Sequence, residues 1–264
     1  MRNLRVVTLN ANGLRAAARK GFREWLADQD ADVCCLQEIR VAAHQLTPEL
    51  EPPAGWHARW LHAAKPGYSG VAVWSRTEPR RARPGIGEAE FDAEGRVLAC
   101  DFDALRVVSL YLPSGSSSPE RQAAKFRFMS VFAPWLARQR RARTPVLVCG
   151  DWNIAHTEKD LKNWRSNQDY SGFLPEERAW IGRVFGEGGW RDVWRGLHPE
   201  AEGEGYTWWS QRGAARAKNV GWRIDYQVAT PSLAIRVVRS WVEQGVNFSD
   251  HAPLIADFTR PDPG

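Results

Sequence analysis

The chain has 264 residues, 43% of them hydrophobic, which is enough to bury one large core, so residues 1–264 read as a single domain. Its 36 Lys and Arg exceed its 31 Asp and Glu by five, and a pI near 9.2 favours polyanionic partners without selecting nucleic acid among them. There is no apolar run long enough to span a bilayer, no charged-then-apolar leader after Met1, and no metal-type cysteine spacing; Cys34, Cys35, Cys100 and Cys149 sit in apolar runs as free core thiols, which argues against a membrane or disulfide-framework protein and for a reducing cytoplasm.

In chain order, residues 5–10 predict a first strand ending at Asn10, and Phe22, Trp25 and Leu26 predict a helix running to Asp28. Residues 32–37 form a nearly continuous apolar run, the pattern of a strand buried on both faces, which delivers Glu38 at its end. Further strands are expected at 70–75, 96–102, 105–111, 145–149, 222–229, 233–241 and 252–258. A long helix opens at Ser118-Pro119-Glu120, carries Ala124, Phe128, Val131 and Trp135 on one side, and should kink at Pro134. A second helix is expected over 175–185, loops at 186–189 and 203–205, and a short flexible tail from Arg260. Many short strands with few helices imply two packed sheets with helices outside.

The polar residues of interest close apolar runs: Asn10, Glu38, the pair Asp151 and Asn153, and Asp225, which interrupts the expected 222–229 strand. Strand ends are rigid positions that share a rim, and carboxylates gathered there repel one another unless a cation neutralises them. Oxygen ligands of this hardness suit magnesium or manganese rather than zinc. Asp151 and Asn153, two residues apart, are expected to point the same way. Ser249-Asp250-His251 adds a carboxylate and a side chain that titrates near neutral pH. Taken singly, Asn10 and Asn12 are ordinary turn formers and Glu38 a solvated strand terminus; it is the set that points to a metal site.

Five segments occur in order, Asn10-Ala11-Asn12-Gly13-Leu14-Arg15-Ala16, Leu36-Gln37-Glu38, Gly67-Tyr68-Ser69-Gly70-Val71, Gly150-Asp151-Trp152-Asn153-Ile154-Ala155-His156 and Ser249-Asp250-His251. With residues 171–178, 206–209 and 218–226 they cover nearly the whole chain, which resembles the exonuclease III family of apurinic endonucleases. The resemblance implies an α/β four-layer sandwich, two mixed sheets face to face with helices outside, and a magnesium-dependent DNA phosphodiesterase of base excision repair, with manganese able to substitute. It implies Glu38 as principal metal ligand, with Asn10, Asp151, Asn153, Asp250 and His251 around one or two ions. Asp151 would be the base, Asn153 would hold the water or phosphate, His251 held by Asp225 would donate to a phosphate oxygen, and Tyr111 would be the active-site tyrosine.

On the same resemblance Arg15, Tyr68, Asn163 and Asn167 would contact the backbone of double-stranded DNA, and Trp208, Trp209, Trp222 and Ile224 would form the pocket for an extruded baseless sugar. The partner is DNA with abasic sites or 3′ ends and the enzyme a monomer; exonuclease, abasic endonuclease and 3′-phosphatase activities are all compatible. Tyr170, just before Ser171-Gly172-Phe173, is bulkier than the small or amide residue of some relatives and could narrow that pocket in favour of 3′ trimming. Residues 114–118 lack bulky groups that could wedge into the duplex. The rival readings are a sibling phosphoesterase acting on RNA or phospholipid, and an inactive relative that only binds DNA.

Overall fold

The computed structural model describes residues 3–260. Strands β1 (Leu4–Asn10) and β2 (Val33–Gln37) form at the two apolar runs, and every residue of β2 is buried, as a strand covered on both faces requires. Between them the expected helix is divided: α1 (Leu14–Arg19) and α2 (Phe22–Asp28) are separated at Gly21, whose φ of 86° is left-handed. The chain continues through β3 (His57–Leu61), β4 (Val71–Ser75), β5 (Arg81–Pro84), α3 (Ala89–Asp92), β6 (Val97–Asp101) and β7 (Arg106–Tyr111).

Helix α4 (Pro119–Arg140) opens as expected, with the Ser118 hydroxyl accepting from the Arg121 amide and Pro119 at the first position, and it runs unbroken through Pro134. Strand β8 (Val146–Asp151), helix α5 (Pro175–Phe185), the short β9 (Arg191–Asp192), α6 (Val193–Leu197), and the two-residue strands β10 (Trp208–Trp209) and β11 (Gly221–Trp222) follow.

Two expected strands are corrected. The 222–229 run is two elements: β11 pairs with β10, and β12 (Asp225–Ala229) starts at Asp225, so Asp225 opens a strand and does not interrupt one. The cause is local: the Arg223 amide donates to the Asp160 carbonyl and the Ile224 amide to the Thr207 hydroxyl, which draws these two residues out of the ladder. The 233–241 run begins as α7 (Pro231–Ala234), nucleated by a proline at its first position, and only then becomes β13 (Val237–Val242). The last strand is β14 (Leu254–Phe258). From residue 261 onward the expected tail lies outside the described residues.

Two six-stranded sheets result, ordered β13-β14-β1-β2-β4-β3 and β5-β6-β7-β8-β12-β9. Each is mixed, with β1 parallel to β2 in one and β7 parallel to β8 in the other. Val6, Cys35, Val73, Cys100, Val107, Leu147 and Ala256 share one buried cluster between the sheets; Leu9, Leu14, Phe22 and Trp74 pack under α1 and α2; Phe128, Phe132, Val148 and Ile181 pack under α4 and α5. This is the expected four-layer sandwich. All four cysteines are buried and free.

The sheets are also tied by polar bridges. Gln37 of β2 donates to the Ser109 hydroxyl of β7 at 3.0 Å, Ser109 in turn donates to the Leu36 carbonyl at 2.9 Å, and Gln227 of β12 donates to the Val6 carbonyl at 3.0 Å. Buried side-chain amides that bond across the interface help fix how one sheet sits on the other, with Gln37 also held inside its own sheet by Thr8.

Candidate active site

Strand register brings the singled-out residues to one rim. In the parallel pairs Asn10 lies beside Gln37, the residue before Glu38, and Tyr111 lies beside Asp151; in the antiparallel pair Asp225 faces Asp151. Asp250 and His251 come from the turn before β14, where the Trp209 amide donates to the Asp250 carbonyl. The first sheet thus supplies Asn10, Glu38, Asp250 and His251, and the second Tyr111, Asp151 and Asp225. Gly150 is required here: with φ 140°, a side chain on it would put a carbon 2.0 Å from the Leu110 carbonyl.

Hydrogen bonds lock this rim. The Asn10 amide donates to Glu38 Oε1 at 2.8 Å and to Asp151 Oδ2 at 2.9 Å, while its oxygen accepts from the Asn12 amide. Arg40 pairs with the other oxygen of Glu38. Asn153 meets Asp151 by a different route from the expected strand alternation: it lies beyond β8 in left-handed backbone, φ 52°, so that its N–H donates to Asp151 Oδ1 at 2.8 Å and its side-chain amide to Oδ2 at 3.1 Å. Asp250 accepts from Asn12 at 2.9 Å and from the Trp208 indole at 3.2 Å. His251 Nδ1 is 2.7 Å from Asp225 Oδ2, and its Nε2 faces Asp151 at 3.9 Å, too long for a hydrogen bond.

The electrostatics follow from burial. Burial opposes charge on His251, but the Asp225 carboxylate beside it and then Asp151 and Asp250 raise its pKa to about 10, which keeps the ring an imidazolium. Asp151 is pushed up to about 8 by burial first and then by the charge of Asp225, against the pull of His251. Burial, followed by Glu38, holds the Tyr111 phenol well above its ordinary value, so it remains a donor. Burial alone would raise Asp250, but His251 and the donors Asn12 and Trp208 carry it below the usual range.

A divalent cation fits this group. Asp151, Asp225 and His251 present ligand atoms within 4.8 Å of one another, Glu38 stands beside Asp151 through Asn10, and buried Asp225 Oδ1 has no hydrogen-bond partner. Carboxylates buried this close carry negative charge that one Arg and one His offset only in part, and the oxygen donors among them suit a hard ion, the protonated His251 ring contributing charge and no lone pair.

The rim opens into a cleft of about 770 Å³ lined by Glu38, Tyr111, Asp151, Asn153, Asp250 and His251 on its floor and by Asn163, Asn167, Trp208, Trp222 and Ile224 on its wall. Trp209 is outside that wall: it is buried behind it, its indole donating to Asn219. Arg15 is exposed and also outside the lining. Tyr68 is held nearby, its hydroxyl accepting from Arg96 at 2.8 Å and Arg121 at 2.7 Å. Tyr170 lines the cleft but stays 62% exposed, so it stands at the mouth and does not fill the pocket. Arg40 and Arg96 went unremarked in the sequence; an arginine after Glu38-Ile39 or before a strand carries no signal of its own, and only the fold shows Arg40 on Glu38 and buried Arg96 donating to the Tyr111 carbonyl at 3.1 Å.

Residues 7–251 match the model of the endonuclease/exonuclease/phosphatase family. The chain is similar to an exodeoxyribonuclease of Bacillus subtilis, 38% identical over 252 residues that cover 95% of this chain and 98% of that protein. It is 37% identical to the DNA repair nuclease APEX1 of Danio rerio, over 96% of this chain and 81% of that one. Among solved structures, a 3′-5′ exonuclease from Neisseria meningitidis superposes with a TM-score of 0.89 at 26% identity, covering 97% of this chain and all (100%) of the other.

Proposed function

Because this chain belongs to the endonuclease/exonuclease/phosphatase family, in its exonuclease III and apurinic-endonuclease branch, we propose that it hydrolyses DNA phosphodiesters at abasic sites and 3′ ends during base excision repair, using magnesium. It is a nuclease of a metal-dependent family. The observation that carries the finer reading is the pairing of Asp151 with an imidazolium across 3.9 Å, a base and a cationic donor facing the same space.

In that space a phosphate oxygen accepts from His251 Nε2 while Asp225 holds the ring through Nδ1. Asp151 takes the proton of a water aligned opposite the leaving 3′ oxygen, and the amides of Asn10 and Asn153 fix its carboxylate. The Tyr111 phenol donates to the phosphate, adding to the positive field in which charge on phosphorus grows. Glu38, Asn10, Asp250 and the rim residues Asp151 and Asn153 are the group that would hold the ion, which when bound would neutralise the carboxylates and stabilise the leaving oxygen; His251, expected among the ligands, has no lone pair to offer as an imidazolium and serves as the donor beside them. Asn163 and Asn167 lie on the wall where a DNA backbone would run, and Trp208, Trp222 and Ile224 form an apolar recess suited to a baseless sugar.

On the same reading the chain works as one domain, as a monomer and in the cytoplasm, which suits four free buried thiols. No described helix is long and apolar enough to cross a membrane.

The test is cleavage of a labelled duplex carrying one abasic-site analogue, beside an intact recessed 3′ end, in magnesium and in EDTA. Incision at the analogue is the expected result; absence of magnesium-dependent cutting of both substrates would sink the reading. Tyr170→Asn is expected to raise incision relative to 3′ shortening, and an unchanged ratio would show that the ring at the mouth does not restrict the sugar.

A further inference from the structure

Beneath the cleft lies an ion pair with no contact to solvent: Lys125 of α4 and Glu177 of α5, both wholly buried, are joined at 2.6 Å. A buried pair of this kind is weak evidence for stability, because desolvation offsets most of the attraction and an apolar pair of similar volume often serves as well. Burial indeed lowers the Lys125 pKa in spite of Glu177. What distinguishes this pair is where its remaining hydrogen bonds go.

Lys125 Nζ donates to the carbonyl of Asn153 at 2.8 Å. Glu177 Oε2 accepts from the amides of Gly172 at 2.6 Å and Leu174 at 3.1 Å, and its other oxygen accepts from Gln122 at 3.0 Å. The two loops so gripped are joined directly, with the Ala155 amide donating to the Gly172 carbonyl at 2.8 Å. One is the loop whose left-handed Asn153 aims an N–H and a side-chain amide at Asp151; the other carries Gly172, against which Trp222 of the cleft wall packs.

We infer that Lys125 and Glu177 are positioning residues for the proposed phosphodiesterase, a buried ionic bolt that holds the Asn153 backbone in its left-handed turn and so orients Asp151. The inference rests on that reading of the site. Neither residue touches the space where substrate would lie: Lys125 acts through the Asn153 carbonyl, and Glu177 through Lys125 and the loop ahead of α5. A left-handed non-glycine residue is a strained conformation that persists where its surroundings over-determine it, and the ammonium on its carbonyl is such a constraint.

The deciding variant is Lys125→Met with Glu177→Leu, made in the full chain, which replaces the pair by apolar groups of similar size without leaving a lone buried charge; Glu177→Gln is the second variant, which keeps an acceptor for the Gly172 and Leu174 amides but strips Lys125 of its counter-charge. With the abasic duplex and magnesium, kcat is expected to fall about tenfold or more, with KM changed less than about threefold; the melting temperature should fall, because the Asn153 carbonyl and the Gly172 and Leu174 amides lose their partners, while unfolding stays cooperative. Lys125→Arg, which keeps the charge and a donor, should recover most of the loss. Hydrogen exchange at the Asn153 amide should quicken while that of β8 amides stays slow, a readout that needs no activity. Wild-type kcat in a folded double variant, or a rise in KM alone, or an unchanged Asn153 amide, would overturn the inference. Failure of the wild-type protein to cut would instead overturn the functional reading.

Discussion

Four non-glycine residues in left-handed backbone, Asn12, Glu38, Arg40 and Asn153, with φ of 44°, 48°, 50° and 52°, all line the cleft. Such conformations cost on the order of 1 kcal/mol or more each, and their concentration at one rim marks it as built for position and not for stability. The residue whose chemistry depends most on a neighbour is His251, because its charge rests on Asp225. Asp225→Asn removes the group that raises the ring's pKa to about 10, so the pKa falls toward the ordinary 6.5. The alkaline limb of the kcat/KM profile should therefore move to lower pH by about one unit or more. The acid limb, which Asp151 sets if it is the proposed base, should move down as well, since Asp225 is one of the charges that push Asp151 up. A pH profile with the alkaline limb unmoved would mean that His251 is not the cationic donor.

At the scale of elements, the active rim depends on β7 and β8 running parallel with Leu110 against Gly150. Gly150→Ala cannot be accommodated without parting them, because the contact is with backbone. A loss of more than about 3 kcal/mol in urea unfolding is expected, together with lost cleavage, and near-native stability would show that the ladder yields there. This scale was also the most legible in the sequence. The apolar runs before Asn10, Glu38 and Asp151 announced β1, β2 and β8, and with them the rim itself. Period and composition could not reveal β10 and β11, which are two residues each and exist only by pairing with one another. Edge strand β5 carries arginine and proline and is mostly exposed, so it lacks the burial pattern of a strand. Lys125 was illegible for a different reason: a lysine on a helix ordinarily reads as solvated, and only the packing of α4 on α5 encloses it.

Across the whole molecule, the segment leading into β12 is held by a buried cluster in which Asp160 accepts from Arg223 at 2.7 Å and from Arg195 at 2.5 Å, while Arg223 also pairs with Asp192 at 2.8 Å. Burial opposes charge on Asp160, but Arg223 and Arg195 hold its carboxyl well below the ordinary 3.8. A depressed carboxyl contributes stability that is fully present above its unfolded pKa and lost as pH falls through the folded one, so acid unfolding below about pH 4 should draw on this cluster. Asp160→Asn is expected to cost about 3–5 kcal/mol at neutral pH by leaving buried arginine without its counter-charge, and to flatten the acid limb of the melting-temperature curve. Equal acid slopes in variant and wild type would count against it. One consequence of the two-sheet rim concerns partial unfolding. Four of the rim residues ride on one sheet and three on the other, and Asn10 reaches Asp151 across 141 residues of chain. A partly folded molecule, with one sheet formed and the other still loose, therefore has no assembled centre at all. Loosening either sheet from the other disperses the centre, whichever sheet yields.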